Sequence, residues 1–154
     1  MRDRVSIAMI LSLAAFTATG EESNLAPQSV PQPVIAAFQK AYPSAQEVKF
    51  EKEEGGAAAL FEVEFNLAGK AMEAVYDAQG KLVYTEEEVA TGDLPSTVAA
   101  AISKDYPKAK LQEAEKLLNP DGSLRGWEVE IEEGEKELEV ELDAAGKIVG
   151  VKAD

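Results

Sequence analysis

From Val30 onward the hydrophobic positions follow two periods, one helical and one extended, and the same succession is written twice. Val34, Ala37, Phe38 and Ala41 recur at helical spacing, and Val98, Ala101 and Ile102 repeat the pattern. Each set puts one apolar stripe on a helix. Pro95 suits a first helical turn, where a missing N–H costs nothing, and Pro31 or Pro33 serves likewise in the first helix. Tyr42-Pro43 and Tyr106-Pro107 end the helices, because proline disfavours helical backbone in the residue before it. Extended segments follow, "AQEVKFEKE" and "AKLQEAEKLL", then the turn signals "EEGGA" and "NPDGS". Two alternating strands come next in each half. Their inward residues are Phe61, Val63, Phe65, Met72, Ala74 and Tyr76, then Trp127, Val129, Ile131, Leu138, Val140 and Leu142. "DAQGK" and "DAAGK" lead into a last strand each, with Gly80 and Gly146 free to take positive φ. The facing of these last strands stays open: Leu82 with Tyr84 and Val83 with Thr85 both make inward sets.

The succession is a duplication. "VPQPVIAAFQKAYPSA" aligns with "LPSTVAAAISKDYPKA" at an offset of 64, and "FEVEFNLAGKAMEAVYDAQGKLV" aligns with "WEVEIEEGEKELEVELDAAGKIV" at an offset of 66. The expected fold class is α+β: two αββββ repeats, residues 33–92 and 93–154, sharing one sheet and forming one domain.

The N-terminal twenty residues are different text. "MRDR" followed by "VSIAMILSLAAF" reads as a signal peptide, with small residues Ala18 and Gly20 before a cut after Gly20. The apolar run is short for a membrane span. Residues 21–32, "EESNLAPQSVPQ", read as a flexible tether. The expected location is periplasmic or secreted, with no membrane insertion after cleavage. The chain has no cysteine, so neither a lipid anchor on cysteine nor a disulfide is possible.

Composition narrows the function classes. Fifteen basic residues against 29 acidic give a net charge of −14, which repels nucleic acid and anionic lipid and favours a basic protein or a cation. Neither histidine nor cysteine is present, which removes histidine-based triads, thiol nucleophiles and the usual zinc sites. Paired glutamates could in principle hydrolyse glycosides, yet that work needs a carboxyl group in a pocket, whereas these sit on strand faces expected to be solvated. No enzyme activity, cofactor or tight metal site is expected. The "DAQGK", "NPDGS" and "DAAGK" loops lack a calcium-loop series and read as hairpin turns.

The order of helix, "YP-x-A", "[FW]-E-V-E-[FI]" and "D-A-x-G-K", in both halves from about Val30 to Val151, resembles the PepSY-like domains of exported bacterial proteins, which themselves resemble the beta-lactamase inhibitory protein. The resemblance implies a curved, mainly antiparallel eight-stranded sheet with the helices on one face. It also implies a role in binding a protein partner, or in inhibiting a peptidase or other hydrolase. The inhibitory protein is disulfide-bonded and this chain is not, so inhibition of a beta-lactamase is not carried over.

The candidate partner-binding face is a set of nine glutamates: Glu62, Glu64 and Glu73 in the first repeat, Glu128, Glu130, Glu132, Glu137, Glu139 and Glu141 in the second. Strand alternation predicts that all nine emerge opposite the helices. Such a face either keeps an open sheet soluble or receives a protein or peptide with a basic surface, steered by charge. The alternative function is divalent-cation binding or sensing in the cell envelope through the same carboxylates. The oligomeric state and the partner's identity are not written in the sequence.

Overall fold

The computed structural model of the chain describes residues 25–53 and 58–153; the expected signal peptide and the "EEGGA" turn lie wholly or mostly outside them. Helix α1 spans Gln32–Ala41, followed by strands β1 (Gln46–Glu53), β2 (Leu60–Leu67), β3 (Lys70–Asp77) and β4 (Leu82–Glu88). Helix α2 spans Ser96–Asp105, followed by β5 (Lys110–Leu118), β6 (Leu124–Glu133), β7 (Lys136–Asp143) and β8 (Ile148–Ala153). All eight strands form one curved antiparallel sheet in chain order. Each strand pairs with the next, so hairpins suffice except where α2 intervenes between β4 and β5.

Both helices stop where expected. Tyr42 and Tyr106 leave the helical region with φ near −127°, each still donating its N–H to a carbonyl one turn back, on Phe38 and Ile102. The aspartates of the hairpin loops are used by the loops themselves. Asp77 Oδ1 accepts from the N–H groups of Gln79 and Lys81, and Asp143 Oδ1 accepts from those of Ala145 and Lys147, all within 3.0 Å. Gly80 and Gly146 have φ of 79° and 84°, and each lies against its own repeat's helix start. A Cβ on Gly80 would meet the Pro33 carbonyl, and one on Gly146 would crowd Thr97.

The core is split. One cluster gathers Val30, Val34, Phe38, Phe61, Val63, Phe65, Ala74 and Tyr76; the other gathers Leu94, Val98, Ile102, Ala114, Trp127, Val129, Ile131, Val140 and Leu142. Every member of the first has its counterpart in the second at the sequence offset. Between the clusters, Lys116 Nζ and Glu87 Oε2 form a half-buried ion pair at 2.9 Å on the helix side.

Three expectations change. The segment read as a tether is packed from Leu25: its N–H donates to the Phe50 carbonyl at 2.7 Å, Pro27–Ser29 makes a 3-10 turn, and Val30 is 4% exposed. The same turn recurs at Thr91–Asp93 ahead of Leu94, so the duplicated unit starts earlier than the text suggests. Ala41 is exposed, outside the apolar stripe. In β4, neither proposed facing holds, because a bulge between the pairs Val75–Tyr84 and Tyr76–Leu82 interrupts alternation. Leu82 and Thr85 both face the helices, and Tyr84 faces away.

Candidate functional site

The nine glutamates share the face opposite the helices. Glu64 lies directly across from Glu73, Glu128 from Glu141, Glu130 from Glu139 and Glu132 from Glu137. Three further carboxylates, missed in the sequence, join the two sets. Glu86 on β4 pairs across to Glu73, and Glu115 and Glu113 on β5 pair across to Glu128 and Glu130. The signal for β5 was present, since Glu113 and Glu115 flank a single buried alanine. The signal for Glu86 was not, because its facing follows from the β4 bulge.

The expectation of a solvated face is corrected at its centre. No helix or strand among the described residues covers this side, yet Val75 is fully buried and Glu86 is 6% exposed. Both lie among side chains of neighbouring strands, Val75 opposite Tyr84 and Glu86 opposite Glu73. Like charges directly opposed on adjacent strands repel, and loss of water disfavours the ionised form further. Glu73 is pushed up to about 8 by burial and then by the Glu115 charge. Glu128 is also pushed up to about 8, by burial and by Glu139 and Glu115, with Lys152 working against it. Glu115 is pushed up to about 7 by burial, although its hydrogen bond from Glu86 lowers it. Glu86 stands far above the ordinary carboxyl range, for burial and the charges of Glu115, Glu128 and Glu73 all oppose its ionisation.

The cations on this face lie towards its margins. Lys49 on β1 pairs with Glu64 at 2.9 Å, Lys110 at the start of β5 pairs with Glu132 at 3.3 Å, and Lys152 on edge strand β8 reaches Glu139 at 2.7 Å and Glu141 at 3.4 Å. Gly150 makes room for that last pair, since a Cβ there would press on the Glu141 carboxylate. Strands β3 and β4 place no lysine or arginine on this face. At the other end Arg125 lies 4.7 Å from the Tyr84 ring centroid.

Among the described residues, three groups of three carboxylates each bring an oxygen within 4.8 Å of the others: Glu51, Glu62 and Glu64; Glu73, Glu86 and Glu115; Glu128, Glu139 and Glu141. Such groups can exchange protons or receive cationic groups, and the clustering alone does not select a divalent ion over an ammonium group. The hollow lined by Glu113, Glu115, Glu128, Glu130 and Glu139 holds about 10 Å³, whereas small-molecule sites run to roughly 300 Å³ or more.

The fold with its paired halves is one that known proteins share. The sequence profile described as "Putative beta-lactamase-inhibitor-like, PepSY-like" matches residues 17–84 and 59–149, and the chain belongs to that PepSY-like family. Solved structures share the fold. A DUF2874 family protein from Bacteroides uniformis is 20% identical, with TM-score 0.64, over 80% of this chain and 89% of its own. A BLIP-like protein from Bacteroides fragilis is 24% identical, with TM-score 0.55, over 80% and 86%. A protein from Bacteroides eggerthii described as a "putative periplasmic protein" is 13% identical, with TM-score 0.64, over 80% and 88%. No curated protein shows a significant match to the chain.

Proposed function

We propose that this protein is an exported, non-enzymatic binding module that receives a basic protein or peptide segment on the acidic sheet face. The observation that carries the reading is the uncovered row of opposed carboxylates across β2 to β7, which leaves a strong negative potential on a face with its basic residues towards the margins. The family is beta-lactamase-inhibitor-like, and inhibition of a peptidase or other hydrolase is one form such binding takes. A periplasmic or secreted location is in keeping with the eggerthii relative's description and with the N-terminal text; no helix among the described residues is long and apolar enough to cross a membrane.

Calorimetry with a ten-lysine peptide tests the reading on the chain from Glu21. Micromolar or tighter binding is expected at low salt, weakened at least tenfold when ionic strength rises to 0.5 M, because the Debye length shrinks to a few ångströms. The triple variant Glu128→Gln, Glu130→Gln, Glu139→Gln should lose most of this binding. Equal binding by that variant, or none by the parent at low salt, would sink the proposal. The divalent-cation alternative draws on the same carboxylates, and nothing further in the structure singles it out.

A further inference from the structure

The two edges of the sheet are built differently. Among the described residues β1 pairs along its length with β2 alone, and β8 with β7 alone. Such an edge presents unpaired N–H and C=O groups to any other extended chain. On β1 the edge is protected. The Phe50 carbonyl already accepts the Leu25 N–H at 2.7 Å, and Glu47 stands at φ 55° beside a break in register between Gln46 and Lys49. Five of the eight residues of β1 are charged. A bulge and a row of charges both discourage a further strand.

Along most of its length β8 has none of these protections. Its break in register comes early, between the pairs Leu142–Ile148 and Glu141–Gly150, and Gly150–Ala153 then runs evenly against Leu138–Glu141. Val149 and Val151 are 61% and 45% exposed, the most exposed large apolar side chains among the described residues. The strand's one charged side chain, Lys152, is drawn back over its own sheet by Glu139 and Glu141. Of the eight strands, β8 alone contains no Asp or Glu.

Charge and symmetry select the occupant. Two copies with a net charge of −14 each repel one another, and at β8 they meet edge to edge without setting carboxylates of the edge strands against each other. A contact of β8 with the β1 of another copy would be head-to-tail and would run on into a filament, and the features of β1 oppose it. Contact of β8 with β8 is self-complementary and closes at two copies.

We propose that this chain forms a two-fold dimer by antiparallel pairing of β8 with the β8 of a second copy. With the axis at Val151, the two Val151 side chains oppose each other and Val149 opposes the second copy's Ala153. Lys152 then opposes the second copy's Gly150, which has no side chain to meet it. Apolar β-branched pairs across strands are favourable. Antiparallel pairing sets the axis normal to the sheet, so both acidic faces lie on one side of the dimer. The pairing doubles the surface offered to a basic partner and does not depend on the docking reading.

A pair of six-residue strands gives a small interface, below the roughly 1,000 Å² of stable ones, so a dissociation constant on the order of 100 μM is expected. Sedimentation equilibrium of the chain from Glu21 should show monomer and dimer in exchange. The dissociation constant should fall at least about threefold from 20 mM to 0.5 M sodium chloride, because salt screens the repulsion between acidic copies. Docking of the ten-lysine peptide responds to salt in the opposite sense, so the two readings fail separately. Val151→Lys should raise the dissociation constant at least about tenfold by opposing two ammonium groups on the axis, whereas Val48→Lys on β1 should leave it unchanged. Both positions are exposed, and an unchanged circular dichroism spectrum verifies that each variant is folded. The chain has no cysteine, so Val151→Cys reports on the axis directly: mild oxidation should link two copies, and Val48→Cys should give little linked product.

A chain that stays monomeric at about 1 mM in 0.5 M salt would overturn the proposal. A dimer left intact by Val151→Lys would place the contact elsewhere and overturn it as well. So would a monomer whose β8 amides gain exchange protection only when an unrelated extended peptide is added, which would give the edge to a foreign strand.

Discussion

At the scale of single residues, the central glutamates set a pH dependence opposite to the usual acid denaturation. Their folded-state values stand above the ordinary 4.5, at about 7 for Glu115 and about 8 for Glu73 and Glu128. Below 4.5 both folded and unfolded chains hold the protons and no cost arises. Between 4.5 and about 8 the unfolded chain ionises freely while the folded one resists, so stability falls with rising pH until the folded groups ionise. Thermal unfolding should therefore show a melting temperature that declines from pH 5 to pH 8. Glu128→Gln, which mimics the protonated acid, should recover on the order of 1–2 kcal/mol at pH 8 after allowance for partial exposure and change little at pH 5. A profile that climbs towards pH 8 would contradict this account.

At the scale of elements, the two repeats differ where one has glycine and the other does not. Ala68, in the β2–β3 turn, has φ of 54°, and the corresponding residue of the β6–β7 turn is Gly134 with φ of 70°. A left-handed alanine carries a cost of roughly 1–2 kcal/mol that glycine avoids. Ala68→Gly should raise stability by about 0.5–1 kcal/mol in urea unfolding, the remainder being offset by the freer unfolded chain. The reverse holds at Gly80, whose backbone rests on Pro33. Gly80→Ala combines positive φ with a collision against a backbone carbonyl, and should cost about 2 kcal/mol or more.

The aromatic core of the first repeat makes a second contrast. The Phe38 ring meets Phe65 edge-on at 5.0 Å and Tyr42 at a tilt at 5.6 Å, whereas Ile102 and Ile131 stand at the places of Phe38 and Phe65. The pattern of apolar positions made this core legible without coordinates, since periods of 3.6 and 2 mark buried faces whatever the partner element. Phe38→Ala should cost about 3–5 kcal/mol by the same measurement.

At the scale of the whole molecule, a net charge of −14, with glutamates directly opposed across one sheet face, opposes folding through self-repulsion. Salt screens that repulsion, so the melting temperature should rise by several degrees between 20 mM and 300 mM sodium chloride at pH 8. A second expectation concerns the two halves, which we propose unfold together. The β4–β5 ladder runs between them, the Val89 N–H donates to the Ala114 carbonyl at 2.9 Å, and Val89 packs on the second core. One transition is expected by calorimetry; two resolved peaks would make the repeats separate folding units.

The sequence alone determined the local order of this protein. Alternation, Tyr-Pro helix ends and a repeated text specify the elements and the inward residues of β2, β3, β6 and β7, because each depends on neighbours only a few positions apart. The nine outward glutamates were legible for the same reason. The tertiary structure alone decided which carboxylates meet at the centre. A β4 bulge reverses side-chain facing within a strand, and the β4–β5 register brings Glu86 beside Glu115 across an intervening helix. The burial of these groups comes from side chains on several neighbouring strands brought together by that register, a property no single segment carries.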